Sequence, residues 1–281
     1  MDRPAFPKPC VITIGMTKGG SCKTWWALNL ATTLGMNGYR VVVVDLNPQH
    51  DLTADSQILL EEGIYPRFDA FSHDITDENG NINPMPDISP YLDYDFIIYD
   101  TPQFLNYPVI RFAWQNCHLM LAPFTPDCAD LKNYIAAVRQ YRAMPGERGP
   151  IACIPSRVSK MKNNLALEAL NDCLSLMGDL GCDVPEYPQS YMIDYNPSLA
   201  LQNTRWIYNK MTFRGADRAV TQKFLDNVHL NLGWILMVLQ KYYGPLPPAP
   251  LPNIPRDDPD EIRASLAAEF RERFQSVAEA V

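Results

Sequence analysis

Residues 10–46, CVITIGMTKGGSCKTWWALNLATTLGMNGYRVVVVDL, constrain the fold of this chain more than any other stretch. A short β-rich run, CVITIGM (10–16), enters a glycine loop, and the loop opens at once into TWWALNLATTLGMNGY, whose apolar spacing and closing Gly38 suit a helix. RVVVVDL (40–46) then reads as a continuous apolar run, the pattern of a strand buried on both faces. Together they make a βαβ unit with its loop at the carboxyl end of the first strand, where open parallel sheets bind ligands. Further strands are expected at FIIYD (96–100), HLMLAPF (118–124) and PIACIPS (150–156), and helices at 127–143, 163–178 and 216–243. The expected class is α/β, a mostly parallel twisted sheet flanked by helices.

The loop itself, TKGGSCKT (17–24), departs from the full phosphate-loop pattern. That pattern wants Gly six residues before the lysine and Gly just before it; here Thr17 and Cys22 stand there. Backbone N–H groups of a tight turn at a helix start favour bound phosphate, and Gly19 and Gly20 allow close approach. Lys23 is placed to reach the outer phosphates and Thr24 to ligate Mg²⁺, with Ser21 and Trp25 flanking them. Cys22 strains the turn if its φ is positive. An additional lysine, Lys18, heads the loop.

Two aspartates end apolar strands. Both are candidates to manage Mg²⁺: Asp100 closes FIIYD as a Walker B aspartate does, to hold the ion directly or through water, and Asp45 closes the second strand. Either could instead be a strand-end cap, but both together at carboxyl strand ends favour a site.

Composition bounds the rest. With 281 residues, 47% hydrophobic and 20% charged, the chain suits one sizeable α/β domain with a short appendage. The formal charge of −8 argues against a uniformly basic nucleic-acid coat, so DNA contact would come from a local patch. Seven cysteines without a C-x-x-C pair indicate neither a disulfide framework nor a zinc knuckle. No stretch is long and apolar enough to span a bilayer and the start lacks a secretory signal's apolar core, so the expected location is the cytoplasm.

Residues 45–100 carry thirteen Asp or Glu against one Arg, Arg67, and DITDENGNINPMPDISP within them reads as an irregular surface insertion. From 244 a proline-rich linker of extended character leads to a helix with Ile262, Leu266, Phe270, Phe274, Val277 and Val281 on one face. The expected organisation is therefore a domain at 1–243, a linker at 244–259 and an amphipathic helix at 260–281. That helix is expected to pack on its own domain or on a sister subunit. Two basic stretches stand out: Arg205, Lys210, Arg214, Arg218 and Lys223, and a second from Arg139 to Lys162. Each reads as a backbone-binding DNA face or as solvated helix surface.

TKGGSCKT, NLATTLGMNGYRVVVVDLNPQ and YDFIIYDTP resemble the deviant Walker A loop, the switch I segment and the Walker B/switch II strand of the ParA/MinD family of P-loop ATPases. LAPFTPDCADL and SLALQNTRWIYNKMTFRGADRAVTQKF resemble later ParA-type segments in the right order, over roughly 10–240. The resemblance implies ATP and Mg²⁺ as ligands, an ATP-dependent homodimer, nonspecific DNA and a ParB-like centromere-binding partner, with no membrane partner. It gives Lys18 the role of the signature lysine that crosses to the partner's phosphates. Asp45 resembles the first acid of the family's D-x-D-P-Q. The second acid, which positions the attacking water, is replaced by Asn47, so slow hydrolysis is expected. The alternatives are an adaptor with a degenerate nucleotide cycle or a metabolic ATP-dependent enzyme of the same fold.

Overall fold

The computed structural model describes residues 3–16, 22–103, 108–124, 128–146, 149–156, 164–186, 216–254 and 259–275. Six strands form one sheet: β1 (Cys10–Ile14), β2 (Val41–Asp45), β3 (Asp69–Ser72), β4 (Phe96–Asp100), β5 (Leu119–Phe124) and β6 (Ile151–Pro155). Their order is β3-β2-β4-β1-β5-β6 and every pairing is parallel. The helices are α1 (Lys23–Met36), α2 (Asp51–Glu61), α3 (Pro108–Gln115), α4 (Cys128–Ala143), α5 (Asn164–Asp179), α6 (Ala216–Tyr242) and α7 (Pro259–Phe270).

Alternation along each strand builds two cores. Val41, Val43, Phe96 and Ile98 face α1, α2, α6 and α7, whereas Val42, Val44, Ile97 and Tyr99 face α3, α4 and α5. A sheet covered on both faces needs strands apolar at every position, which explains the unbroken VVVV of β2. Helix α1 is buried almost all round, so its Thr32 and Thr33 hydroxyls satisfy themselves on the carbonyls of Leu28 and Asn29.

The expected strands and the three long helices are present, with α1 beginning at Lys23, ahead of the expected Thr24. Sequence reading missed α2, α3 and the edge strand β3. DAFS is too short and too polar to read as a strand, and β3 exists because the register of Asp69–Ser72 on Val42–Asp45 pairs its backbone. The acidic insertion is largely irregular: it folds through a single bridge, Thr76 to Ile82, then stacks Tyr91 on Phe71 beside the exposed edge.

The described part of the proline-rich segment, 244–254, lies along the amino ends of the strands. Leu251 N–H donates to the Gly38 carbonyl at 3.0 Å and Ile254 N–H to that of Met36 at 3.0 Å. A side chain at Gly38 would meet the Leu251 carbonyl at 2.1 Å, and its φ of +87° also favours glycine. Helix α7 returns to the same body, burying Ile262 and Leu266 in the α1 core while Arg67 pairs with Glu269. Val277 and Val281 lie outside the described residues.

Candidate nucleotide-binding site

Register brings the site together before any side chain is considered. Ile14 pairs with Asp100 and Asp100 with Asp45, so the carboxyl ends of β1, β4 and β2 lie side by side with Asp100 in the middle. The chain leaves β1 through Gly15, where a Cβ would lie 2.9 Å from the indole nitrogen of Trp114. Thr101 Oγ1 donates to the Ile14 carbonyl at 2.7 Å, tying the end of β4 to the end of β1. Thr17, Lys18, Gly19, Gly20 and Ser21 lie outside the described residues.

The loop re-enters at Cys22, whose φ of 66° and ψ of 25° place it in the left-handed region at the start of α1. This is the strain that a side chain in a glycine place was expected to cause, and the backbone accommodates the cysteine without losing the helix start. Lys23 follows and is 9% exposed. Burial lowers its pKa, while the charge of Asp100 and then Cys22 pulls the other way. Thr24 and Trp25 are half-buried on the same first turn. Trp25 meets Trp26 edge-to-face, and the Trp26 indole donates to Ser156 Oγ at 2.8 Å, bracing α1 against the end of β6. Ser156 and Thr101 carried no signal beyond their places after apolar strands.

Asp45 is fully buried and occupied. Its Oδ2 accepts from the backbone of Leu52 and Thr53 and from Thr53 Oγ1 at 3.0–3.1 Å, and its Oδ1 from Asn47 N–H at 3.0 Å. It therefore caps α2 from the strand end, a helix-capping role that differs from the strand-end cap open to it in the sequence, and couples that helix to β2. Asn47 forms an Asx turn: its Oδ1 accepts from Gln49 N–H at 3.3 Å, and its carbonyl from His50 N–H at 2.8 Å. Its Nδ2 has no protein partner among the described residues and is the group the turn presents.

Hard oxygen donors suit Mg²⁺, and two candidates fit it here: the buried carboxylate of Asp100 and the hydroxyl of Thr24 one residue beyond the buried lysine. Asp45 fits less directly, because three of its four hydrogen bonds saturate Oδ2 and only Oδ1 has capacity for a water.

Of the basic residues, Arg205, Lys210 and Arg214 lie outside the described residues. Arg218 and Lys223 belong to the first turns of α6, with side chains outside the described part. Arg148, Arg157, Lys160 and Lys162 are likewise outside it. Arg142 is used within the domain, donating to the Gly181 carbonyl at 2.8 Å.

A parallel α/β sheet with a strand–loop–helix cradle, a buried lysine and a carboxylate on the adjacent strand defines a P-loop nucleotide-binding domain. The family model for the CobQ/CobB/MinD/ParA nucleotide binding domain matches residues 12–245, and the chain belongs to that ParA/MinD family. It is 43% identical over 54 residues to the chromosome-partitioning ATPase Soj of Thermus thermophilus, covering 19% of this chain and 22% of Soj. The curated relatives are matched over less than a quarter of their length. Among solved structures it resembles a plasmid partition protein from Borrelia burgdorferi bound to AMPPNP (TM-score 0.54, 18% identity, 80% of this chain and 99% of that one). It also resembles pNOB8 ParA (TM-score 0.53, 16% identity, 95% and 99% covered), a protein also solved bound to nonspecific DNA (TM-score 0.50, 16% identity, 79% and 99%). At these identities the structures speak for the fold. Among the described residues, no helix is long and apolar enough to cross a membrane.

Proposed function

We propose that the chain is a ParA-type ATPase that binds ATP and Mg²⁺ over the ends of β1, β4 and β2 and acts in DNA partition or intracellular positioning. The observation that supports this reading is the strand register, which sets Asp100 between Ile14 and Asp45, together with the buried Lys23 lying within reach of the charge of Asp100. Lys23 would hold the outer phosphates, and Thr24 and Asp100 the Mg²⁺. A bound magnesium ion supplies neutralisation of phosphate charge. Lys18 would cross to the partner's phosphates in a homodimer, making dimerisation depend on ATP.

Asn47 sets the pace. An amide Nδ2 can donate to a phosphate or a water oxygen but takes no proton at neutral pH, so turnover is slow and the ATP dimer long-lived. In that state the chain would bind nonspecific DNA through Arg205, Lys210, Arg214, Arg218 and Lys223, placing it on the nucleoid in the cytoplasm. A ParB-like centromere-binding protein would discharge it. The left-handed Cys22 and the missing carboxylate at Asn47 also favour a second reading, an adaptor that binds ATP with little hydrolysis.

Light scattering of wild type and Lys18→Ala with ADP and with ATP plus Mg²⁺, with and without duplex DNA, tests the first reading. The expected result is an ATP-dependent, Lys18-dependent dimer that binds duplex DNA with steep salt dependence. A mass indifferent to nucleotide, with no DNA binding, would overturn it. Asn47→Asp separates the two readings: turnover at least tenfold faster than wild type is expected of the ATPase, wild-type turnover as fast as the variant's counts against slow hydrolysis, and no turnover in either points to the adaptor.

A further inference from the structure

His50 has no role in the site so far described, yet its backbone, like that of Cys22, is left-handed. It occupies the N-cap place of α2 with φ 49° and ψ 33°, a conformation glycine adopts freely and histidine does not, and its side chain caps nothing. The capping is done by Asp45 from the strand. The imidazole turns outward, and its Nε2 meets Asp74 Oδ1 at 2.8 Å. Its Nδ1 is buried without a hydrogen-bond partner among the described residues, so the Nε2 contact alone directs the ring.

Asp74 stands two residues beyond the end of β3, at the root of the acidic insertion, where the Asn83 side chain donates to its carbonyl. The turn from Asn47 to His50 is therefore anchored at both ends. In front, Asn47 N–H holds Asp45; behind, His50 holds Asp74. Between the anchors, the Asn47 carbonyl and Oδ1 are both bonded inside the turn, so it moves as one body.

We propose that His50 and Asp74 are a positioning pair that fixes the Asn47 turn and ties it to the β3–β4 insertion. The pair rests on the ATPase reading above for its effect on turnover. Its effect on the turn's mobility stands apart from that reading. A displacement of the insertion is then transmitted through one side-chain contact to the residue facing the nucleotide.

The test uses the full chain and four variants: His50→Gly, which keeps the left-handed backbone but cuts the tether; Asp74→Ala, which cuts it from the other side; His50→Gln, which restores a donor near the Nε2 position; and the double variant His50→Gly/Asp74→Ala. Amide hydrogen exchange over residues 46–53 is measured with ATP turnover, the KM for ATP and thermal midpoint. The tether predicts at least fivefold faster exchange and a severalfold lower kcat in each single cut. It also predicts an unchanged KM, recovery in His50→Gln, and a double variant no worse than either single one. Unchanged exchange in both cuts overturns the pair. Faster exchange with unchanged kcat in a chain that hydrolyses ATP reduces it to local stability and overturns the positioning role. Faster exchange in a chain without measurable turnover keeps the tether and sinks the ATPase reading instead.

Discussion

The two ends of the sheet handle backbone strain in opposite ways. At the amino ends, the one non-glycine residue with positive φ among the described residues is Arg67, at 61°, and its guanidinium pairs with Glu269 and donates to the carbonyls of Gly35 and Pro252. At the carboxyl ends Cys22 and His50 are equally left-handed, and the His50 ring is held by a single contact to Asp74 on an exposed loop. Strain below is locked by packing. Strain above is left in the two loops that would have to respond to a nucleotide, as expected where function requires two states.

The largest effect is expected where α7 closes the amino end. Leu266 is completely buried in the α1 core, and Leu266→Ala should cost about 3 kcal/mol through lost burial and the cavity left behind. Denaturant melts would show it, and nucleotide affinity should be nearly unchanged because the site is at the other end of the strands. A loss of affinity as large as the loss of stability would break the comparison.

Replacing the strained residues by glycine sharpens it further, because the sign should reverse between the ends. Arg67→Gly relieves the backbone but abandons a partly buried Glu269 and two carbonyls, a net loss of about 2 kcal/mol. Cys22→Gly relieves similar strain at a half-buried thiol, so stability should rise by about 0.5 kcal/mol after the greater freedom of unfolded glycine is deducted. Thermal midpoints of the two variants measured side by side decide the matter. A fall in both would mean that Cys22 is held as firmly as Arg67.

Much of this was legible in the residues. The central strands announced themselves because a doubly covered parallel strand has to be apolar throughout, and Lys23, Asp45 and Asp100 stood out as candidates because the loop motif and strand ends mark where such groups stand. The strain at Cys22 followed from a side chain in a glycine place. What stayed hidden depended on contacts between segments distant in sequence. β3 is a strand by virtue of its register on β2, not its composition. Asp45 reads as a ligand or a cap until the amides of Leu52 and Thr53 are seen to point at it. The His50–Asp74 contact joins residues 24 apart that no sequence motif links.

The thiols extend the comparison to chemistry and give the smallest effect. Cys22 is half-buried at the site, whereas Cys10 and Cys117 are buried beneath it. Burial pushes the Cys10 thiol well up, helped by the charge of Cys117, and raises Cys117 itself to about 11. Alkylation at pH 8 should therefore modify Cys22 first and leave Cys10 and Cys117 untouched in the native protein. Saturating ATP should slow Cys22 alone. The same shifts carry a sign in stability. A thiol whose folded pKa is raised favours the folded state fully below the unfolded value of 9.0, and that contribution is lost as pH climbs from there toward about 11 for Cys117. Unfolding midpoints should accordingly decline between pH 9 and 11, and Cys117→Ser should flatten part of that decline. Equal labelling of Cys22 and Cys117 in the folded chain would show that the core opens as readily as the loop, and the contrast between the two ends would fail.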